Sequence, residues 1–425
     1  MPELDLPQDW EQKTLIDLAG FINGFPFKPS DWSETGLPIV RIAQITGSST
    51  ACDYFRGSIN HLYKLETGDI VFSWSGTLCV VRWRGGQAWL NQHLFRVIPS
   101  PNIDNDFFFH LLSHAVESME KSAHGSTMKH IKRGELKKYN VATPVWLEEQ
   151  QKIAQILDTL DTQIQKTESL IAKLERIKEG LLHDLLTRGI DQNGQLRPTP
   201  EQAPVLYKES ALGLIPKEWE VRQLGSMAII VSGVTLGGQL PSSSWPLVAY
   251  LRVANVQDGY LDLKEVKFLR VKPADVEKFR LVPGDVLMNE GGDFDKLGRG
   301  TVWEGEIEQC IHQNHVFRVR TFPNMLDPYF LAYFSGSSMG KSYFIKSSKQ
   351  STNLASINST QLKAFHVPVP PFPEQMSIIN RLKSHKKRLD MEIRNLEKLR
   401  AQKTGLMDDL LSGHVRVTTL LKDAV

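Results

Sequence analysis

EQQKIAQILDTLDTQIQKTESLIAKLERIKEGLLHDLL, residues 149–186, places apolar side chains at Ile153, Leu157, Leu160, Ile164, Ile171, Leu174, Leu181 and Leu185. With Thr167 and Lys178 counted as two polar gaps, successive positions are alternately four and three residues apart. That spacing is a heptad seam held over more than four heptads, and it predicts a long helix with one narrow apolar stripe. The stripe is written twice. An offset of 225 residues carries Glu149-Gln150 onto Glu374-Gln375, and the seam onto Ile378, Leu382, His385, Leu389, Glu392, Leu396, Leu399, Lys403, Leu406 and Leu410. One such helix cannot bury its own stripe, whereas two in one chain bury each other's. The expected molecule is therefore two globular domains joined by a helix pair, with Lys178 and Lys403 as polar register markers.

Composition bounds what those domains do. The chain has 425 residues, room for several domains, and at 41% hydrophobic and 23% charged it has the make-up of a water-soluble globular protein. A net charge of +2 means that any nucleic-acid surface comes from local patterning rather than bulk charge. Cys52, Cys79 and Cys310 are far apart and odd in number, with no zinc spacing, which points to a reduced compartment and no structural metal. No basic and apolar leader opens the sequence and no apolar run is long enough to span a bilayer, so the expected location is cytoplasmic.

Outward from the helices, residues 1–147 look like a mixed α+β domain. Leu37 to Ile45 alternates like a strand from which Arg41 projects, and Gly68-Asp69 marks a turn before the strand Ile70–Trp74. Trp89 to Val97 reads as another strand and Asp106 to Ser122 as a helix. Residues 148–188 form the first long helix. Residues 189–215, with Gly194, Pro198, Pro200 and Pro204, have the composition of a linker draped over the surface. Residues 216–372 then repeat the first domain, 373–412 repeat the helix, and 413–425 form a tail. Trp219 matches Trp10, Leu251-Arg252-Val253-Ala254-Asn255-Val256 matches Val40-Arg41-Ile42-Ala43-Gln44-Ile45, and Pro283-Gly284-Asp285 matches Thr67-Gly68-Asp69. Gln313-Asn314-His315 likewise matches Asn91-Gln92-His93. The offset drifts inside the domain, as loop insertions would make it. A repeated scaffold with different loops suggests two binding surfaces for different targets.

Motifs for chemistry fail on their spacing. Gly336 to Ser342 resembles a phosphate-binding loop but has three residues, not four, before Gly340-Lys341. Asp327-Pro328-Tyr329-Phe330 resembles a methyltransferase motif short of one proline, and a helix start with Asp as cap and Pro in the first turn explains it fully. His93 and His315 recur at matched positions without a partner at ligand spacing, and the reading favoured is a buried, hydrogen-bonded histidine in an apolar strand. The basic and amide-rich loops say more. Lys121, Lys129, Lys132, Arg133, Lys137 and Lys138 stand against Glu135 alone, and Lys341, Lys346, Lys349, Gln350, Ser351 and Asn353 fill the same region of the second repeat. A solvated basic face explains either loop singly. Recurrence in both favours phosphate and base contacts.

In the order of its motifs the sequence resembles the DNA-specificity subunit of type I restriction-modification systems over nearly its whole length. The resemblance rests on Gly68-Asp69-Ile70-Val71, Pro283-Gly284-Asp285-Val286-Leu287, Leu251–Gln257, Pro370-Pro371-Phe372-Pro373-Glu374-Gln375, Leu185–Ile190 and Leu410-Leu411-Ser412-Gly413. It implies an α+β fold of two repeated target-recognition domains separated by a pair of long antiparallel coiled-coil helices. It also implies a chain with no catalytic, cofactor or metal residues of its own. Each domain would read one half of a bipartite double-stranded DNA target. The helices, roughly 36–38 residues at ~1.5 Å each and so about 55 Å long, would set the spacing. The implied partners are two modification (methyltransferase) subunits and, in a restriction complex, two restriction subunits. S-adenosylmethionine, ATP and magnesium would sit on those partners, with Lys166, Glu168, Lys173, Glu175 and Arg176 among the outward helix positions free for docking. Matched positions and loop chemistry make Lys28, Arg41, Gln44, Ser75, Thr77, Lys129 and Lys132 the DNA-contact candidates of the first domain. Those of the second are Arg252, Asn255, Lys296, Arg299, Lys349, Gln350 and Asn353. The competing readings are a stand-alone tandem DNA-binding regulator and a methyltransferase or nuclease in its own right.

Overall fold

The computed structural model describes residues 6–122, 131, 133–235, 242–292, 297–350 and 355–422. It is an α+β chain with two 41-residue helices, Leu147–Thr187 and Phe372–Ser412. It divides into two compact units, Met1–Ser169 with Ile393–Val425, and Leu170–Glu392. None of the described helices is long and apolar enough to cross a membrane.

In the first unit Trp10–Thr14 pairs antiparallel with Asn140–Pro144, bringing the two ends of the domain together where the long helix starts. The central sheet orders Ala19–Asn23, Leu94–Pro99, Ile70–Ser73 and Cys79–Arg82, all antiparallel. A smaller sheet holds Leu37–Val40 parallel to Ala88–Leu90, edged by Tyr54–Phe55 and Lys64–Leu65. The helix Asn105–Ser122 covers the central sheet, and Phe72, Phe95, Phe107, Phe108 and Leu111 form the core between them. Ile153, Ala154 and Leu157 of the first long helix enter that core together with Met407, Leu410 and Leu411 of the second.

The second unit repeats the plan. Glu220–Gln223 pairs with His366–Val369, the central sheet orders Ala228–Ser232, Val316–Thr321, Val286–Asn289 and Gly300–Val302, and Leu247–Leu251 runs parallel to Cys310–His312. Two short helices, Pro328–Gly336 and Ser338–Ser347, replace the single one of the first unit. Asp327 caps the first, its carboxylate accepting from the Tyr329 N–H at 2.8 Å, and the phosphate-loop lookalike is the junction between the two helices, where Ser337 caps the second. Residues 189–215 are pinned more firmly than a draped linker. Ile190, Tyr207 and Ile215 are buried, and Arg197 holds Glu374 through contacts of 2.5 and 3.1 Å.

Heptad spacing describes the helices well. Every seam position from Ile378 to Leu410 is buried or half-buried, while most positions around it are exposed. Within the first unit the two helices run antiparallel: Glu149 meets Arg416, Asp161 meets Lys403 at 2.6 Å, and Glu168 meets Arg400 at 2.7 Å. Lys403 therefore sits in the seam on a carboxylate of the opposite helix, while Lys178, its counterpart, is exposed. Gly189 and Gly413 end the helices at φ of +64° and +79°. A Cβ at Gly189 would run into the Glu374 carboxylate and the Trp219 ring, so the left-handed turn and the tight approach both require glycine there.

Three local readings of the sequence are corrected. Leu37–Ile45 is a strand only to Val40, after which Arg41 begins a short helical turn over Ile42–Ile45. Trp89–Val97 breaks at Asn91 into two strands that belong to different sheets. His93 and His315 lie in the turn between such strands and are exposed, not buried within one. In the first domain a polar side chain bonds to the backbone close by, Gln44 to Arg41 N–H and Asn91 to His93 N–H, and that local alternative defeats the extended ladder.

Candidate nucleic-acid interface

The two domains share a rigid frame that can be followed bond by bond. Gly68 N–H donates to the Trp83 carbonyl and Trp83 N–H to the Asp69 carbonyl; Gly284, Trp303 and Asp285 repeat both bonds. Asp69 takes the Arg96 guanidinium at 3.0 Å, and Asp285, fully buried, takes Arg320 at 2.7 and 2.9 Å. Hydrogen bonding to Asp285 raises the Arg320 pKa above its ordinary value, while burial lowers that of Arg318 next to it in space. Arg318 is buried beneath the sheet, and Arg320 is held against it by Asp285 while its side chain stays partly exposed.

At the far end of each central sheet several loops converge on one backbone position. Trp74 follows the strand Ile70–Ser73, and its carbonyl accepts from Ile131 N–H at 2.9 Å, so the chain returning from the helix closes onto it. Glu290 follows Val286–Asn289 and accepts from Ile357 N–H at 2.8 Å in the same way. Beside it, Lys349–Gln350 and Gly291–Gly292 flank Ala355–Ser356 in a small sheet. His93 and His315 approach from the neighbouring turns: the His93 ring lies 6.0 Å from that of Trp74, and His315 Nδ1 lies 2.6 Å from the Glu290 carboxylate. Lys129, Lys132, Lys296 and Asn353 belong to these loops in sequence but lie outside the described residues, as do the side chains of Lys349 and Gln350.

The other candidates fall into two groups. Arg41 and Arg252 occupy matched positions, each held by a carboxylate: Arg41 by Asp53 and Arg252 by Glu265 at 3.4 Å, with the Arg41 guanidinium 5.2 Å from the Trp32 ring centre. Gln44 and Asn255 are the residues that make those turns. Gln44 accepts from Arg41 N–H and donates to the Ala51 carbonyl, and Asn255 accepts from Arg252 N–H and donates to the Asp262 and Glu265 carbonyls. Asn255 is 2% exposed with both ends of its amide used, so it shapes the loop and presents nothing to a base. Ser75 is buried, its carbonyl accepting from Ser73 Oγ, whereas Thr77 and Lys28 are exposed. Arg299 Nη1 reaches Gln257 Oε1 at 3.3 Å, joining its loop to the Arg252 turn. Among the described residues no contact joins Lys28 to the converging loops; its N–H donates to the Asp31 carboxylate in a short turn. The sequence missed Glu290 altogether and Trp74 as a partner of His93, because both pairings are long-range and neither has a periodic signal.

Where each domain meets its helix, the chemistry differs. His110 is fully buried with Nε2 2.8 Å from Asp158, and Arg82 lies at the same distance from that carboxylate. Burial, the largest influence, lowers the His110 pKa despite those acids. Among the described residues, His110, Asp158 and Asp161 are the one group whose spacing suits a metal ion. Arg82 and Lys403 already neutralise its carboxylates, which makes it an ion-pair network seating the domain. On the helix surface Lys166, Lys173, Glu175 and Arg176 are exposed, and Val145, Trp146 and Leu147 form an exposed apolar run where the helix begins.

Comparison with known proteins fits this repeated frame. The family model for the type I restriction modification DNA specificity domain matches residues 7–176 and 216–401. The chain is 24% identical to the type I restriction enzyme MjaVIII specificity subunit of Methanocaldococcus jannaschii, covering 99% of this chain and 96% of that protein. It is also 24% identical to the EcoBI specificity subunit of Escherichia coli, over 89% and 80%. A shorter match, 28% identical over 48% of either chain, is to the putative MjaX specificity subunit of M. jannaschii. In fold it resembles the crystal structure of the type I S subunit from M. genitalium, with a TM-score of 0.56 at 16% identity, covering 97% and 98% of the two chains.

Proposed function

The chain belongs to the type I restriction-modification DNA specificity family, and from that premise we propose that it is the subunit through which a restriction-modification complex recognises a bipartite double-stranded DNA target. Each domain reads one half-site through the loops gathered around Trp74 and around Glu290, and the long helices set the distance between half-sites. One observation carries this reading: two frames that share the same Gly-Asp turn and the same loop-closing backbone bonds end in loops of different content. Like scaffolds with unlike loops are what two different half-sites require.

The candidate contact groups divide by task. Lys28, Thr77, Lys129, Lys132, Lys296 and Lys349 are suited to phosphate, while Arg41, Arg252, Arg299, Gln350 and Asn353 have side chains able to meet base edges or phosphates. Arg41 and Arg252 would exchange their carboxylate partners for DNA. The chain is the non-catalytic component. Methyl transfer from S-adenosylmethionine belongs to two modification subunits, and ATP- and magnesium-dependent cleavage to two restriction subunits where a system has them, all in the cytoplasm. The exposed helix faces and the apolar run at Val145–Leu147 are the surfaces offered to those partners.

Expression with its modification subunits, followed by methylome sequencing, tests the reading. The expected result is one bipartite motif with methylated adenine and an unread spacer. Methylation or cleavage by the isolated chain would overturn it. So would a sequence-specific footprint from the chain alone with no methyltransferase bound, which would favour a stand-alone regulator.

A further inference from the structure

The frame holds one pair of positions that the two domains fill with different chemistry. In the second domain Glu290 is fixed by its backbone, its N–H donating to the His315 carbonyl at 2.9 Å and its carbonyl accepting from Ile357. Its side chain meets His315 Nδ1 at 2.6 Å, and the two side chains remain 29% and 56% exposed. A carboxylate accepts only, so Nδ1 is the donor, and Nε2 is the ring nitrogen turned toward other partners, with Asn314 Nδ2 at 3.4 Å. In the first domain the same backbone position is Trp74, and the ring beside it is that of His93. The backbone geometry is shared, while an acceptor is replaced by a broad apolar face.

A carboxylate among DNA-contacting loops is informative because phosphate repels it. It gains only where an amino group meets it, so it discriminates between sequences and adds nothing to general affinity. We propose that residues 290 and 315, and their counterparts 74 and 93, are matched base-reading positions. Glu290, oriented by His315, accepts from the exocyclic amino group of an adenine or cytosine. Trp74 with His93 offers an apolar contact instead, so the two half-sites differ at the corresponding place. The inference rests on the function proposed above and assigns its selectivity to particular side chains.

The test uses the complex assembled with its modification subunits and a DNA library randomised in both half-sites. The wild-type complex comes first: a library that returns no bipartite motif overturns the functional reading itself. Given a motif, Glu290→Gln, which keeps the shape and adds a donor, is expected to reduce the preference at one position of one half-site roughly ten- to a hundredfold. The other half-site and the spacer stay as they were. His315→Ala should relax that same position, and Trp74→Glu should alter one position of the opposite half-site. Thermal melting confirms that each variant is folded, and the exposed His315→Ala gives the result if another variant is not. Unchanged base preferences in Glu290→Gln and His315→Ala overturn the proposal. A uniform loss of binding with preferences intact also overturns it, since that is the mark of a structural or phosphate-contacting role.

Discussion

Arg416 grips the buried carboxylate of Glu149 through two hydrogen bonds, Nε at 2.6 Å and Nη2 at 2.7 Å, and so ties the chain beyond the second long helix to the first turn of the first. Glu149 is 1% exposed, and Arg416 is the cation that meets it. Removing the guanidinium leaves an uncompensated buried carboxylate, and Arg416→Ala should cost about 3 kcal/mol in urea denaturation. Arg416→Lys keeps the charge but loses the paired geometry and should lie in between. A loss below about 0.5 kcal/mol for Arg416→Ala would show the pair to be ornamental, as many surface pairs are.

Gln375 does the same work at the second helix with neutral chemistry. Its amide donates to the Met325 and Pro370 carbonyls at 3.1 and 2.9 Å and accepts from Asp327 N–H at 2.9 Å. Gln150 makes the equivalent three bonds with Asn102, Pro144 and Asp104. Gln375→Glu turns a double donor into a carboxylate facing two carbonyl oxygens in a dry site. It should destabilise the second unit by about 2–4 kcal/mol. Gln375→Ala, which leaves the partners unpaired without adding a charge, should cost less. The order of the two midpoints in denaturant checks the argument.

His312 gives the protein an acid-sensitive element. It is fully buried, its Nδ1 lies 2.6 Å from the Val316 carbonyl, and burial above all pushes its pKa down from 6.5 to about 4. The folded state therefore holds the neutral ring while the unfolded chain takes up a proton more readily. The contribution is whole above the unfolded value of 6.5 and is lost as pH falls from there to about 4. Its full size is on the order of 3 kcal/mol. Stability measured from pH 7.5 to 4 should fall more steeply in the wild type than in His312→Asn. Parallel curves would mean that the ring titrates in the folded protein as it does in water.

How much of this was legible depends on the range of the interaction. The two helices, their seam and their repeat follow from side chains a few residues apart, which periodicity records directly. The duplicated frame was visible because Gly68-Asp69 and Gly284-Asp285 form the same turn from the same residues. What the sequence misassigned is also physical. Asn255 has the side chain of a base reader, but its buried amide is spent on its own turn, and Gln44 spends part of its amide in the same way. Whether an amide faces a base or its own backbone is decided by folding, not composition. The Glu290–His315 pair joins residues 25 apart across two turns, and no local pattern announces it.

The helices make a prediction about the DNA itself. If they set the distance between half-sites, removing one heptad from each at matching positions shortens the rod by about 10 Å, about three base pairs of B-DNA. Seven residues are nearly two helical turns, so the seam keeps its facing to within about 20° and both domains should still fold. The preferred spacer should shorten by about three base pairs while both half-sites keep their sequences. Three base pairs also turn the duplex by roughly a third of a rotation. Protein or DNA must absorb that twist, so affinity for the best site should fall as well. A control that removes five residues from each helix turns the seam about 140° away from its partner and should unfold the pair rather than reset the spacing. Methylome sequencing of the heptad variant decides the matter: an unchanged spacer would show that the distance is set elsewhere in the complex.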